Sequence, residues 1–358
     1  TIAASHPDAR FCADLESIIE SHSVLHRAPA DLWQDGLYLG NGDLAATVHG
    51  SPQRTRILLN KGDIWDERAD WLEAMFDPAD FDWQRTKEVL TRAIETGDWT
   101  EYQNLPSPTA KVPEGAGRNY PGIQAVGYLD ISGKLPDDCA EFQQQLSFYR
   151  ALVDCSFTCK GKHFSYSAYT HANYNLLAID LATDDPELWP LSLQLHRDLV
   201  PFRTPFTPDP YLENPAFGHD DNTMWMTMVL PDGFAFAVVA QVPDAELDFE
   251  PAVDCVTAHI RNPSAKHLCV HLTVTTGQDE SPAALVRQGK EDLVHYANEE
   301  QPRETHAHWW ADFWHKGWIS LPDKLIENLW YVEIYKLACC SRQGGQAPGQ
   351  LGYWCGFA

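Results

Sequence analysis

Between about Leu37 and Gln278 the chain is cut into short apolar or alternating runs: RILLN (56–60), GYLDISG (127–133), FSYSAYT (164–170), NLLAIDLAT (175–183), TMWMTMVL (223–230), FAFAVVAQV (234–242), CVTAHI (255–260) and HLCVHLTVTT (267–276). Gly, Pro, Asn and Asp stand between them. Alternation places side chains on two faces of a pleated strand, and turn residues at even spacing separate one strand from the next. The fold class this predicts is mainly β, a large antiparallel β-sandwich. One helical insertion near 83–96 interrupts it, with Val89, Leu90, Ala93 and Ile94 on a 3.6-type stripe and Gly97 as its stop.

After Gln278 the pattern becomes helical. Ser281-Pro282 reads as an N-cap and first turn, with Leu285, Leu293 and Ala297 on one face. THAHWWADFWHKG (305–317) is an aromatic helix, and a longer one follows with Leu325, Leu329, Val332, Tyr335 and Leu337 at helical spacing. So apolar a helix needs partners to cover it. The expected organisation is a sandwich domain at 1–278, a helical linker at 279–320, and the start of an α-helical domain at 321–358 whose remainder lies outside this sequence.

Composition narrows the function classes. With 51 acidic against 26 basic residues in 358, the net charge is −25, which repels nucleic acid and anionic membrane surfaces but not a neutral ligand. No window of about 18 apolar residues is present to span a bilayer. The chain begins at Thr1 without the charged and apolar regions of a signal peptide, and the compartment stays open. Thirteen Trp and thirteen Tyr are planar, polar-edged side chains of the kind that suits sugar rings, although most such rings are core. Nine irregularly spaced cysteines favour reduced, buried thiols over a disulfide framework. Cys155 and Cys159 share a strand face without a second pair, so no metal site and no cofactor are expected.

LYLGNGDLAATVHG (37–50) reads as a β-hairpin, with Asn41-Gly42 supplying positive-φ positions at its tip. The next run, RTRILLNKGDIWDERADW (54–71), enters a loop rich in carboxylates and tryptophan.

These stretches carry a family resemblance. Pro29-Ala30-x-x-Trp33, the Gly-Asn-Gly hairpin and Leu59-Asn60…Asp63…Trp65 resemble the opening of glycoside hydrolase family 95. GDWTEYQNL (97–105), YPGIQAVGYLDIS (120–132) and the run from Tyr149 to Leu181 are similar to its next segments, in the same order. YKLACCSRQGGQAPGQLGYW (335–354) is similar to the entry of its catalytic barrel. Departures are Lys61-Gly62 after Asn60 in place of Glu-Asp, Asp43 where a basic residue is frequent, and Ala45 for glycine.

The resemblance implies a super-sandwich, a helical linker and the first helix of an (α/α)6 barrel. It implies exo-acting hydrolysis of a terminal α-L-fucoside or α-L-galactoside with inversion, by an acid and a base roughly 6.5–9.5 Å apart. Both roles fall in the barrel beyond this sequence, so no catalytic residue is assigned. Candidate substrate-binding residues are Asn60, Asp63 and Trp65 in the loop and Gln350, Tyr353 and Trp354 at the barrel entrance: amide and carboxylate for hydroxyls, indole for a ring face. The structural alternative has Asn60 and Asp63 capping a turn and Trp65 plugging an interface; for the acidic run Asp63, Asp66, Glu67, Asp70 it is a solvated face. The expected partners are a carbohydrate and a catalytic domain or partner chain. Other readings are a non-catalytic carbohydrate-binding or structural sandwich, and a glycoside phosphorylase.

Overall fold

The computed structural model describes residues 9–66, 82–105, 122–186, 192–197, 215–230, 232–243, 245–261, 266–349 and 352–354. In chain order its strands are β1 (Val24–His26), β2 (Leu37–Gly40), β3 (Leu44–Ser51), β4 (Arg54–Asp66), β5 (Gly122–Ser132), β6 (Ala140–Ser147), β7 (Leu152–Cys159) and β8 (Lys162–Thr170). There follow β9 (Leu176–Thr183), β10 (Ser192–His196), β11 (Ala216–Asp220), β12 (Thr223–Val229), β13 (Phe234–Gln241), β14 (Leu247–Pro251), β15 (Cys255–Ile260) and β16 (His267–Gln278). The helices are α1 (Ala9–Glu20), α2 (Trp83–Thr96), α3 (Thr100–Gln103), α4 (Pro282–Ala297), α5 (Pro302–His315) and α6 (Lys324–Cys340).

The fold is mainly β, a large antiparallel sandwich followed by helices, as the strand pattern predicts. Among the described residues one sheet has nine strands in the order β1-β6-β7-β8-β9-β16-β13-β12-β11, and the other seven in the order β14-β15-β10-β5-β4-β3-β2. The core lies between them. Alternation along β9 shows the layering: Leu177, Ile179 and Leu181 enter this core, while Leu176 and Ala178 face the opposite way and meet α4 through Leu285, Val286 and Leu293. Gly289 of α4 permits the close approach, because a Cβ there would stand 2.6 Å from Val239 Cγ2.

Local signals act as the sequence indicates at several helix ends. Asp82 accepts from Arg85 N–H at the start of α2, and Gly97 ends it with φ 73°. Ser281 caps α4 by accepting from Ala284 N–H. Helix α6 buries only part of its apolar surface. Tyr331, Tyr335, Ala338 and Cys339 are buried, whereas Leu325 (78% exposed), Leu329 and Leu337 point outward. The buried face is chosen by aromatic packing. Tyr335 stacks on Phe148 with ring centroids 4.8 Å apart and donates to Tyr38 O at 2.9 Å, and Trp314 of α5 donates to Phe148 O at 2.8 Å. Such rings bury more area than leucine and satisfy their polar edges in doing so.

The cysteines need a correction: Cys139 and Cys159 form a disulfide. Ala140 pairs with Thr158 across β6 and β7, so the two cysteines flank one rung of the ladder with Cα atoms 4.5 Å apart, within bridging range. A spacing of 20 residues in the sequence did not reveal this, because the register of the hairpin decides it. Cys155, also on β7, is a buried free thiol whose pKa is pushed up to about 12, chiefly by burial.

Candidate functional site

The hairpin β2–β3 pairs Gly40 with Ala45, leaving Asn41 to Leu44 as its tip. Only Gly42 there takes a positive φ, 89°. Asn41 instead uses its side chain: Oδ1 accepts from Asp43 N–H at 3.0 Å and Leu44 N–H at 2.8 Å, an Asx-type turn. Its Nδ2 donates to Tyr174 O at 2.7 Å, His171 O at 3.1 Å and Asn175 Oδ1 at 3.1 Å. Asn41 thus ties the seven-stranded sheet to the β8–β9 connection of the nine-stranded one.

The same tip holds the C-terminal end of α6. Gly42 N–H donates to Cys339 O at 2.7 Å. A Cβ on Gly40 would lie 2.5 Å from that same oxygen, and one on Gly42 would lie 2.4 Å from Arg342 Cγ. Arg342 lies 3.6 Å above the Trp309 ring and donates to Ala172 O at 2.5 Å. Burial lowers its pKa to about 10, still far enough above neutrality to keep it charged. The glycines of the tip are therefore required by what packs on them.

Beside the tip lies a charged cluster. Lys61 of β4, 5% exposed, places Nζ 3.0 Å from both oxygens of Asp43 and 2.8 Å from Asp63. Asp63 also accepts from Thr276 Oγ1 at 2.6 Å, and Asp43 from Asn175 Nδ2 at 2.5 Å. Strand β4 is irregular here, its pairing with β5 shifting at Leu59/Asn60 and again between Asn60 and Trp65, which re-aims the side chains of this stretch.

The structure brings together most of the candidate residues. Asn60 is fully buried. Asp63 and Trp65 are half-buried, and the indole of Trp65 donates to Gly62 O at 2.7 Å. Tyr353 and Trp354 come from the segment after α6. Tyr353 is fully buried over Gly62, where a Cβ would meet its Cζ at 2.6 Å, and donates to Gln346 O at 2.5 Å. Burial, then Asp43, Cys340 and Asp63, push its phenol up to about 12, so it stays neutral. Trp354 donates to Leu39 O at 3.3 Å and packs on Tyr38. Gln350, Glu67 and Asp70 lie outside the described residues, as does the side chain of Asp66.

Of the clustered groups, the Asp43 and Asp63 carboxylates and part of the Trp65 ring reach solvent. Those groups can accept from hydroxyls and cover a ring face. Each carboxylate is already bound to Lys61. Sequence reasoning missed Lys61, Asn175, Thr276 and Arg342. One signal was available: Asp43 and Lys61, the two charged departures noted in the sequence, form a single ion pair.

Residues 25–281 match the family model described as glycosyl hydrolase family 65, N-terminal domain. The chain belongs to that family. No curated protein sequence matches it significantly. Among solved structures it is similar to a putative kojibiose phosphorylase from human microbiome, at 10% identity and a TM-score of 0.53, over 90% of this chain and 42% of that one. The likeness is one of fold, and the chain spans about two fifths of that structure's length. It also matches a bacterial glucoamylase complexed with acarbose (10% identity, TM-score 0.35, 62% of this chain and 34% of that one). A third match is a family GH92 α-mannosidase from Bacteroides thetaiotaomicron (9% identity, TM-score 0.25, 56% and 26%). The last two likenesses are too low to argue from. Because the matched family is 65, the resemblance to family 95 holds at the coarser level: an N-terminal sandwich domain of the glycoside hydrolase and phosphorylase type.

Proposed function

We propose that this chain is the sandwich and linker of a carbohydrate-active enzyme that cleaves a terminal glycosidic bond with inversion. In this reading the acid and base are carried by an (α/α) barrel of which α6 is the first helix, with domain limits near 278 and 320. Membership of the family 65 N-terminal domain carries the proposal. It is supported by the outward stripe of Leu325, Ile326, Leu329 and Leu337, an apolar face suited to further helices. The locking of the hairpin tip onto the end of α6 supports it too, since it sets Asp63 and Trp65 beside the segment that leaves the helix.

Asp63 and Trp65 then line the sandwich side of the sugar pocket, with Asn60, Tyr353 and Trp354 supporting them. Water as the nucleophile makes the enzyme a hydrolase, and the family 95-like motifs favour an α-L-fucoside or α-L-galactoside. Inorganic phosphate makes it a phosphorylase, a second reading favoured by the name of the kojibiose phosphorylase that shares its fold.

The test uses the protein encoded by the whole gene. It is incubated with nitrophenyl α-L-fucoside, nitrophenyl α-L-galactoside and kojibiose, each with and without phosphate, and the first-formed anomer is read by proton NMR. Phosphate-independent release with inverted configuration supports the hydrolase. Phosphate-dependent formation of a sugar 1-phosphate supports the phosphorylase. Retention of configuration, or no turnover of any glycoside, overturns the reading.

A further inference from the structure

The outer face of the nine-stranded sheet is only partly covered by α4. Further along the same strands it holds a cavity of about 440 Å³, within the usual range for small-ligand pockets. Strand register explains its shape. One cross-strand row runs Leu25, Gln145, Asp154, Ser167, Asp180, Cys269, each residue paired with the next across β1, β6, β7, β8, β9 and β16. A second row, two residues along, runs Gln143, Ser156, Ser165, Ala182, His267. Small side chains in the middle make a floor, and the longer Gln143, Gln145 and His267 make the ends. Strands spaced by about 4.8 Å give six of them a trough roughly 24 Å long, crossing the strands.

The lining has a definite chemistry. The hydroxyls of Ser156, Ser165 and Ser167 both donate and accept, and the two glutamine amides add both functions. The carboxylates are balanced internally. Asp154 accepts from Ser167 and from Arg150 at 3.4 Å; Asp180 accepts from Arg303 at 3.1 Å and from Cys269 Sγ at 3.2 Å. Arg303, on α5, also reaches Ser167 at 3.4 Å. Each lining acid holds a guanidinium, Arg150 being shared with Glu20 at 3.8 Å, so the lining offers no unshared cation to an anionic ligand. Such a surface matches a neutral, hydroxyl-rich chain, with the exposed Leu25 at one end for the apolar face of a ring.

We infer that this trough is a second carbohydrate site, which holds a neutral oligosaccharide lying across the strands, apart from the candidate site at the hairpin tip. Asn175, which binds Asp43, precedes β9, whereas Asp180 lies five residues further along, about 17 Å away in an extended strand. The inference goes beyond the proposed reaction and does not depend on it, because binding is measured without turnover.

The full chain is titrated calorimetrically with maltohexaose, cellohexaose and xylohexaose, and with hexagalacturonate as the anionic control. At least one neutral hexasaccharide binds saturably. Ser165→Leu, which fills the floor, and Asp180→Asn, which weakens an acceptor without changing shape, each reduce affinity by about tenfold, the order of one charge-assisted hydrogen bond. Both variants keep the wild-type circular dichroism, and in the whole-gene protein both leave turnover of a nitrophenyl monosaccharide unchanged. No binding of any neutral oligosaccharide, unaltered affinity in both variants, or stronger binding of hexagalacturonate would each overturn the assignment.

Discussion

Lys61 of β4 reaches Asp43 at the β2–β3 tip, Nζ 3.0 Å from both carboxylate oxygens, and the ammonium is nearly buried while the carboxylate is half open. Lys61 also holds Asp63, so its removal strands two like charges at close range. Lys61→Met is expected to destabilise the chain by about 1–3 kcal/mol, less than a fully buried pair because both acids keep some water. The exchanged pair Asp43→Lys with Lys61→Glu should recover part of that loss. Urea denaturation of the four members of the cycle measures the coupling, and additivity of the two single changes would show that the pair contributes nothing.

Gly40 gives a sharper steric test. Its Cβ position lies 2.5 Å from Cys339 O, a backbone atom at the end of a helix that cannot swing aside. Gly40→Ala should cost about 1–3 kcal/mol, the usual range for overpacking. Because the clash lies between the hairpin and α6, amide exchange should quicken in α6 and remain slow in the centre of the sheets. Uniform loss of protection across the chain would place the effect elsewhere.

Much of this architecture was legible because strand alternation and turn residues act locally. Asn41 and Gly42 marked the tip, and Gly97 and Ser281 marked helix ends, through side-chain and backbone preferences confined to a few residues. What stayed hidden depends on register and on which partner arrives. Which side of α6 is buried has no local signature, because apolar residues surround the helix and the positions of Phe148 and Tyr38 select the side that carries Tyr335. The irregularity in β4 after Leu59 hid the grouping of Asp43, Lys61 and Asp63. The meeting of Gly62 with Tyr353, nearly three hundred residues on, has no local signature at all.

The disulfide makes a third prediction. Cross-linking Cys139 to Cys159 closes a loop of about twenty residues and should contribute about 3 kcal/mol by restricting the unfolded chain. Replacing both cysteines with serine, or adding dithiothreitol, should lower the urea midpoint by the same amount, and the two treatments should not add. A non-reduced digest in which the two cysteine peptides run separately would remove the basis for the expectation.

Acid sensitivity follows from histidines buried without charge. His306 accepts Ala172 N–H through Nδ1 and donates to Arg150 O through Nε2, and burial lowers its pKa from 6.5 to about 3. His171 and His49 are lowered too, chiefly by burial. For His306, a folded-state pKa below the unfolded one means that between about pH 6.5 and 3 the imidazole takes up its proton only in the unfolded chain, and His171 and His49 act in the same direction. Stability is then complete above 6.5 and falls as pH drops, by up to about 1.4 kcal/mol per unit for each such group. Asp130 adds to the lower end. Burial alone would raise its carboxyl, but His196, Arg56 and Arg54 outweigh that and hold it below the usual range, so its contribution disappears as pH falls through that lowered value. His306→Gln offers one acceptor and one donor without a titrating ring. Between pH 6 and 4 its plot of unfolding free energy against pH should be shallower than wild type by up to one proton. An unchanged slope would mean that His306 is already protonated in the fold, which its donated N–H from Ala172 to an unprotonated Nδ1 argues against.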